Sequence, residues 1–172
     1  MTEREPVPWA QLAADDDTVA RYSERVYRRA PDACWWWLGA ISDTGHGKFR
    51  AGARAAGTSR VVSAHVLGWV VEHGVDTLGA GLVVRHRCDE GACQNPGHWM
   101  AGARADNIAD YYARRGRLGG PLADVRGAAG RAVAVRDAIL AALPGGPEAV
   151  EVGIAVALAA GHPSGAQQET LW

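Results

Sequence analysis

The chain of 172 residues holds one phenylalanine, two methionines and three cysteines. A core short of Phe and Met must draw on other bulky residues, and the seven tryptophans are the obvious source. Lysine is scarcer still: of 18 basic residues only Lys48 is not arginine. No apolar run approaches the roughly 20 residues a membrane helix needs, so no membrane contact is expected. No charged start followed by an apolar stretch marks a signal peptide, so the expectation is a cytoplasmic protein. Three cysteines cannot all pair, and in a reducing compartment clustered cysteines favour metal over disulfides.

The net charge is −1, which excludes a bulk polyelectrolyte attraction. The distribution is more telling. Residues 31–117 carry ten basic and eight acidic side chains, against five and six in 1–30 and three and five in 118–172. The middle is slightly positive, which permits a nucleic-acid partner without demanding one. Arginine suits bidentate phosphate contacts, although abundant Ala, Gly and Arg together also fit a GC-rich coding sequence.

Three segments are expected: an arm and helix over 1–30, a central domain over 31–117, and a helical extension over 118–172. Residues 1–16 read as irregular. Asp17 to Arg29 reads as a helix stopped by Pro31. The aromatic run Cys34-Trp35-Trp36-Trp37-Leu38 reads as a strand, turning at Gly45-His46-Gly47 into a returning strand from Lys48. A helix is expected over Val61–Glu72, ended by His73-Gly74. Leu82-Val83-Val84 reads as a strand running into His86, with Trp99-Met100 as its return and a helix over Ala103–Arg115. Two further helices are expected at 127–143 and 147–161, followed by a polar, loose tail to Trp172.

The richest stretch is His86-Arg87-Cys88-Asp89-Glu90-Gly91-Ala92-Cys93-Gln94-Asn95-Pro96-Gly97-His98, with Asp106-Asn107 beyond it. Cys88, Cys93 and His98 are spaced as ligands of a small zinc loop. Cys34 is the one cysteine left to complete a closed Cys3His set, which would staple the first strand to the loop. Asn95-Pro96 supplies a tight turn to swing His98 back. Three unconnected buried thiols, or a Cys88–Cys93 disulfide, are the plainer alternatives. His86 and Asn107 are left over and suit a second, catalytic ion. His46, His73 and His162 read as ordinary surface or core histidines, and His65 as a structural hydrogen bonder.

These residues resemble a known family. His86-x-Cys88-x4-Cys93-x-Asn95-Pro96-x-His98 followed by Asp106-Asn107 is similar to the HNH, or His-Me finger, endonucleases, in particular their zinc-containing homing-endonuclease branch. Tyr22-Ser23-x-x-Val26, Cys34-Trp35-x-Trp37-x-Gly39, Gly45-x-Gly47, Ala64-His65 and His73-Gly74 fit that branch in the expected order. The resemblance spans about residues 20–115. Four positions depart from the pattern: Val66 stands where the family often has Arg, His46 where it has Tyr, Trp99 where it has Leu, and Ala103 where a Thr caps the last helix.

The resemblance implies an α+β fold with a small ββα-metal core, an N-terminal hairpin, a zinc-stapled loop and flanking helices. It implies hydrolysis of DNA phosphodiester bonds, as nicks or double-strand cuts. His86 would be the general base and Asn107 the ligand of Mg2+ or a similar divalent ion, beside structural Zn2+ at Cys34, Cys88, Cys93 and His98. Asp110 would assist at the metal or orient a partner, and Ile108 and Tyr112 would pack inward. Arg60, Arg85, Arg87, Arg114 and Arg115 are the candidate DNA contacts, although helix-end placement alone explains the last two. A homodimer is compatible with this reading, as is a phage or mobile-element origin. The rival reading is a non-catalytic zinc module that binds nucleic acid or protein, in which His86 is dispensable. The extension beyond 118 reads as packing helices, and the absence of Lys and Arg from 147–161 argues against major-groove reading there.

Overall fold

A computed structural model describes residues 6–166. The irregular start predicted over 1–5 and the loose tail from 167 to Trp172 lie outside the described residues. The fold is mixed helix and small sheets, of the α+β class. It opens with two short helices, α1 (Trp9–Ala14) and α2 (Asp16–Ser23). The first of these corrects the expectation of irregular chain up to residue 16: Leu12 is fully buried and anchors it.

The second correction concerns Val26 and Tyr27. They form strand β1 (Val26–Tyr27), and no helix continues to Arg29. β1 pairs antiparallel with β2 (Trp36–Trp37), and the Leu38 amide extends the ladder to the Arg25 carbonyl at 2.7 Å. The aromatic run therefore pairs backwards along the chain. The predicted hairpin is made instead by β3 (Ala40–Ile41) and β4 (Gly47–Ala51), turned through residues 42–46. Gly45 has φ +82° in that turn, and a β-carbon there would meet the Ala128 backbone at 2.8 Å, so glycine is required twice over. The third strand, β5 (Arg60–Ser63), replaces the first residues of the expected helix. Val61 and Val62 are β-branched and alternate exposed and buried, which fits a strand face better than a helix turn. Helix α3 (Ala64–His73) follows and ends where Gly74 takes φ +85°.

The element order then becomes strand, strand, helix. β6 (Leu82–His86) pairs antiparallel with β7 (Trp99–Ala103) in a register running from Leu82 opposite Ala103 to His86 opposite Trp99. Helix α4 (Arg104–Arg114) starts directly from β7. Ala103 has no side-chain oxygen to cap it, and Asp106 supplies the other half of the cap by accepting from the Ala103 amide at 3.2 Å. The last two long helices are α5 (Gly127–Ala142) and α6 (Gly146–Ala160), which pack on one another, and a four-residue helix α7 (Pro163–Ala166) follows where a loose tail was expected. Taken as one stretch, residues 127–160 are long and apolar enough to cross a membrane. They are two helices separated by a 3-10 turn at Leu143–Gly145, and their buried residues face the protein core.

That core is built around Tyr22, Trp37 and the single Phe49, with ring centroids 5.6–6.1 Å apart in tilted and edge-on pairs. Leu67 of α3, Val135 and Ile139 of α5, and Ile154 of α6 belong to the same cluster. The C-terminal extension thus contributes to the common core, as the packing reading expected. Arg29 and Glu151 form an ion pair between the N-terminal segment and α6.

A charged tie reinforces this. Glu90, in the loop after β6, is 3 % exposed and accepts from Arg131 of α5 at 2.7 Å; Arg131 also reaches Asp124 at 3.4 Å. Burial pushes the Glu90 carboxyl up to about 7, opposed by Arg131. Arg131→Ala is expected to cost about 3 kcal/mol, the lower end for a broken buried pair, because Glu90 can take up a proton. Glu90 has its folded value raised above its unfolded one, so folding binds a proton between about pH 4.5 and 7 and stability falls as pH rises through that window. Without Arg131 the folded value rises further. The loss read by denaturant melts should therefore be larger at pH 8 than at pH 6, and equal losses at both would refute the tie.

Candidate metal centre and active-site cleft

The loop between β6 and β7 is zipped to the segment before β2 by backbone hydrogen bonds. The Gln94 amide donates to the Trp35 carbonyl at 2.7 Å and the Trp37 amide to the Ala92 carbonyl at 3.1 Å. Asn95 adds two bonds from its carboxamide nitrogen, to the Pro31 and Ala33 carbonyls at 2.8 and 2.7 Å. Its oxygen accepts from the Gly97 amide at 2.9 Å, which fixes the 3-10 turn Pro96–His98 and brings His98 back to the loop. Tyr22 donates to the Gln94 side chain at 2.9 Å, linking the same loop to the aromatic core.

These ties bring Cys34, Cys88, Cys93 and His98 together, with one donor atom of each within 4.8 Å of the others. The His98 Nδ1 lies 3.6 Å from the Cys34 sulfur and 3.5 Å from that of Cys93. A tetrahedral zinc with ordinary Zn–S and Zn–N lengths has N–S edges of about 3.6 Å. His98 Nε2 lies 3.2 Å from the Asp32 carbonyl, which places the ring proton there and leaves the Nδ1 lone pair for a ligand. The Asn95 amide also donates to the Cys93 sulfur at 3.4 Å. Hydrogen bonds from Cys34 and Cys93 pull the Cys88 thiol down to about 2, while the bond to Cys88 pushes Cys34 far above the ordinary thiol range. Thiols this close ionise together only around a cation. The four residues can hold a metal ion, and the donor set is compatible with structural zinc. The cysteines are not disulfide-bonded.

His86 ends β6 two residues before Cys88. Its Nε2 lies 3.0 Å from the Cys93 carbonyl, which also accepts from the Trp99 indole at 3.1 Å. A carbonyl fixes the ring as the Nε2–H tautomer and leaves Nδ1 as the basic atom. Burial lowers the His86 pKa to about 4, so the ring is neutral at pH 7. Asn107 is exposed on α4. The two side chains line one cavity of about 190 Å³, together with His46, Asp89, Asp110 and Arg114. A neighbouring cavity of about 850 Å³ also includes His46 and Asn107, with His65 and Arg104. His86 and Asn107, paired in the sequence reading, both line the smaller cavity.

No family model, curated protein or solved structure matches the chain.

The arginines divide into two groups. Arg85 and Arg114 are held by Asp110 at 2.8 and 2.7 Å, and Arg114 also pairs with Asp89 at 2.9 Å. Asp110 is committed to orienting these guanidinium groups. Asp89 has φ +58°, the only positive φ among the described non-glycine residues, and this turn sets its carboxylate against Arg114. Arg87 and Arg115 are exposed, and Arg115 lies 4.7 Å over the Tyr112 ring. Arg60 bonds the Gly57 and Ser59 carbonyls at the start of β5 and lines neither cavity described above. Ile108 and Tyr112 do not pack inward: they are 47 % and 61 % exposed, because among the described residues α4 packs mainly on the β6–β7 ribbon, which leaves this stripe uncovered. His46 and His65, read from sequence as ordinary residues, stand against His86. The departure from Tyr at position 46 was the only local signal for His46.

Proposed function

We propose that the protein is a metal-dependent HNH endonuclease that hydrolyses DNA phosphodiester bonds on a ββα-metal core of β6, β7 and α4, with structural zinc at Cys34, Cys88, Cys93 and His98. One observation carries this reading: His86 from a strand and Asn107 from the following helix open on the same cavity. The resemblance of the His86–Asn107 stretch to that family supports it.

His86 Nδ1 accepts the proton of the attacking water, a task for a neutral imidazole at pH 7. The Cys93 carbonyl holds the ring in the required tautomer and faces the Nε2–H of the imidazolium as it forms. Asn107 offers an uncharged, hard carboxamide oxygen suited to Mg2+, with solvent completing the shell. Asn107 would hold a divalent ion there, and the chemistry such an ion would supply is charge relief at the phosphate and at the leaving 3′ oxygen. The products are 5′-phosphate and 3′-hydroxyl ends. The exposed Tyr111, Tyr112, Arg115 and Arg87 give DNA a contact surface, whereas Arg114 lines the cavity neutralised by Asp110 and Asp89, and Arg85 holds Asp110 in place.

The test is conversion of supercoiled plasmid to nicked or linear DNA with Mg2+, Mn2+ or no added ion. Cleavage that needs a divalent ion supports the reading. Salt-sensitive DNA binding without cleavage under any ion supports the non-catalytic zinc module instead.

A further inference from the structure

Three histidines face one another outside the cysteine cluster. His46 lies in the β3–β4 turn, His65 in the first turn of α3 and His86 at the end of β6. Ring centroids are 5.1 Å apart for His46 and His65, 4.8 Å for His65 and His86, and 5.8 Å for His46 and His86. One ring nitrogen of each lies within 4.8 Å of the other two.

The hydrogen-bond inventory leaves donors free for a ligand. His65 is 5 % exposed and its Nδ1 has no hydrogen-bond partner, while the Val84 backbone bonds the ring. Leaving a buried polar atom unpaired is unfavourable, a cost that a bound group would relieve. His46 Nδ1 is taken by Thr44 at 3.1 Å, which leaves Nε2. His86 Nε2 is taken by the Cys93 carbonyl, which leaves Nδ1. Burial keeps the His46 and His65 rings neutral, the form that binds metal.

We propose that His46, His65 and His86 form a second metal site, for a borderline transition ion such as Zn2+, Co2+ or Ni2+, whose occupation blocks His86 as a base. Imidazole nitrogens favour these ions over Mg2+. A tetrahedral ion at the usual Zn–N length sets its nitrogens about 3.4 Å apart, so nitrogens at the outer limit of 4.8 Å must close by about 1.4 Å. His46 is the ring free to do so: it is half-buried in a turn and borders both cavities. Asn107 lines the cavity that His46 and His86 share and is the candidate for the open fourth position. Once the His86 Nδ1 lone pair is donated to an ion, it cannot take a proton from water. The blocking half of the proposal rests on the nuclease reading; the binding half does not.

The test uses full-length protein carrying one zinc per chain, cleared of free metal and titrated with Co2+. One further equivalent is expected, with visible d–d bands and no thiolate charge-transfer band in the near ultraviolet. His46→Ala and His46→Gln should weaken that second equivalent at least tenfold, at unchanged first zinc and melting temperature. His65→Ala removes a buried ring and can fail to fold, so the His46 variants decide. No second equivalent, an unchanged affinity in His46→Ala, or a thiolate band would overturn the site. In the plasmid assay with Mg2+, added Zn2+ should inhibit the wild type, and His46→Ala should need at least tenfold more. A second ion bound without inhibition rejects the blocking half. A second ion bound with no cleavage under any condition rejects the nuclease reading and keeps the site; Mg2+-dependent cleavage with only one metal bound does the reverse.

Discussion

Replacing Cys88 or Cys93 by serine is expected to remove the bound metal and most of the protein's stability together. The Cys3His cluster joins the segment before β2 to the β6–β7 loop, and that loop in turn carries Gln94 to the Tyr22 hydroxyl and Glu90 to Arg131. Structural zinc contributes on the order of 10 kcal/mol in small domains. Domain stability as a whole is about 5–15 kcal/mol. A pre-folded aromatic core will retain some order, so the loss should exceed about 5 kcal/mol, or roughly 10–20 °C in Tm for a chain of this size. Metal analysis should give about one zinc per wild-type chain and none in either variant. Chelation of the wild type should reproduce the melting curve of the variants. A wild type that holds no metal, or variants that melt where it does, would remove the staple from the account of this fold.

Substituting Asn107 or His86 by alanine should slow cleavage by about 10²-fold or more, by different routes. Asn107 is exposed on α4, so Asn107→Ala should leave metal content and melting unchanged. Losing a ligand that positions charge at the phosphate costs several kcal/mol, which corresponds to a rate lower by about 10²-fold or more. Loss of a general base costs about 10²–10⁴-fold. His86 is buried against His65 and bonded to the Cys93 carbonyl, so His86→Ala also opens a cavity and frees that carbonyl from one partner. The Trp99 indole still satisfies the carbonyl, and the fold should survive with a modest loss. Single-turnover plasmid cleavage, run beside zinc analysis for each variant, separates the two effects. Undiminished cutting by both variants would reject the assignment of this cavity as the active site.

How much of this could be read from the chain depended on whether the signal was local. The Cys/His cluster was legible because Cys88, Cys93 and His98 are close in sequence and the Asn95-Pro96 turn lies among them. Cys34 was legible by elimination, being the only other cysteine. The β6–β7–α4 order followed from the short apolar run, the Asn- and Pro-rich loop and the helical stretch beyond it. The strand partners were not legible. Trp36 and Trp37 pair with Val26 and Tyr27 rather than across the Gly45 turn, since periodicity marks a strand without naming its neighbour. Helix α4 was placed correctly, yet its apolar stripe is exposed: a helical period says which residues share a face but not whether anything covers that face.

The amino-acid order alone fixed the donor chemistry: which thiols, imidazoles and amide could act, and at what spacing along the backbone. Only folding in three dimensions decided their company. It set Asp110 between Arg85 and Arg114, aimed His86 by way of the Cys93 carbonyl, and stacked His46 and His65 beside it from elements 40 and 21 residues away. Ligand spacing is written in bond lengths along the chain, whereas a cavity is made by packing of distant segments, which no single segment encodes.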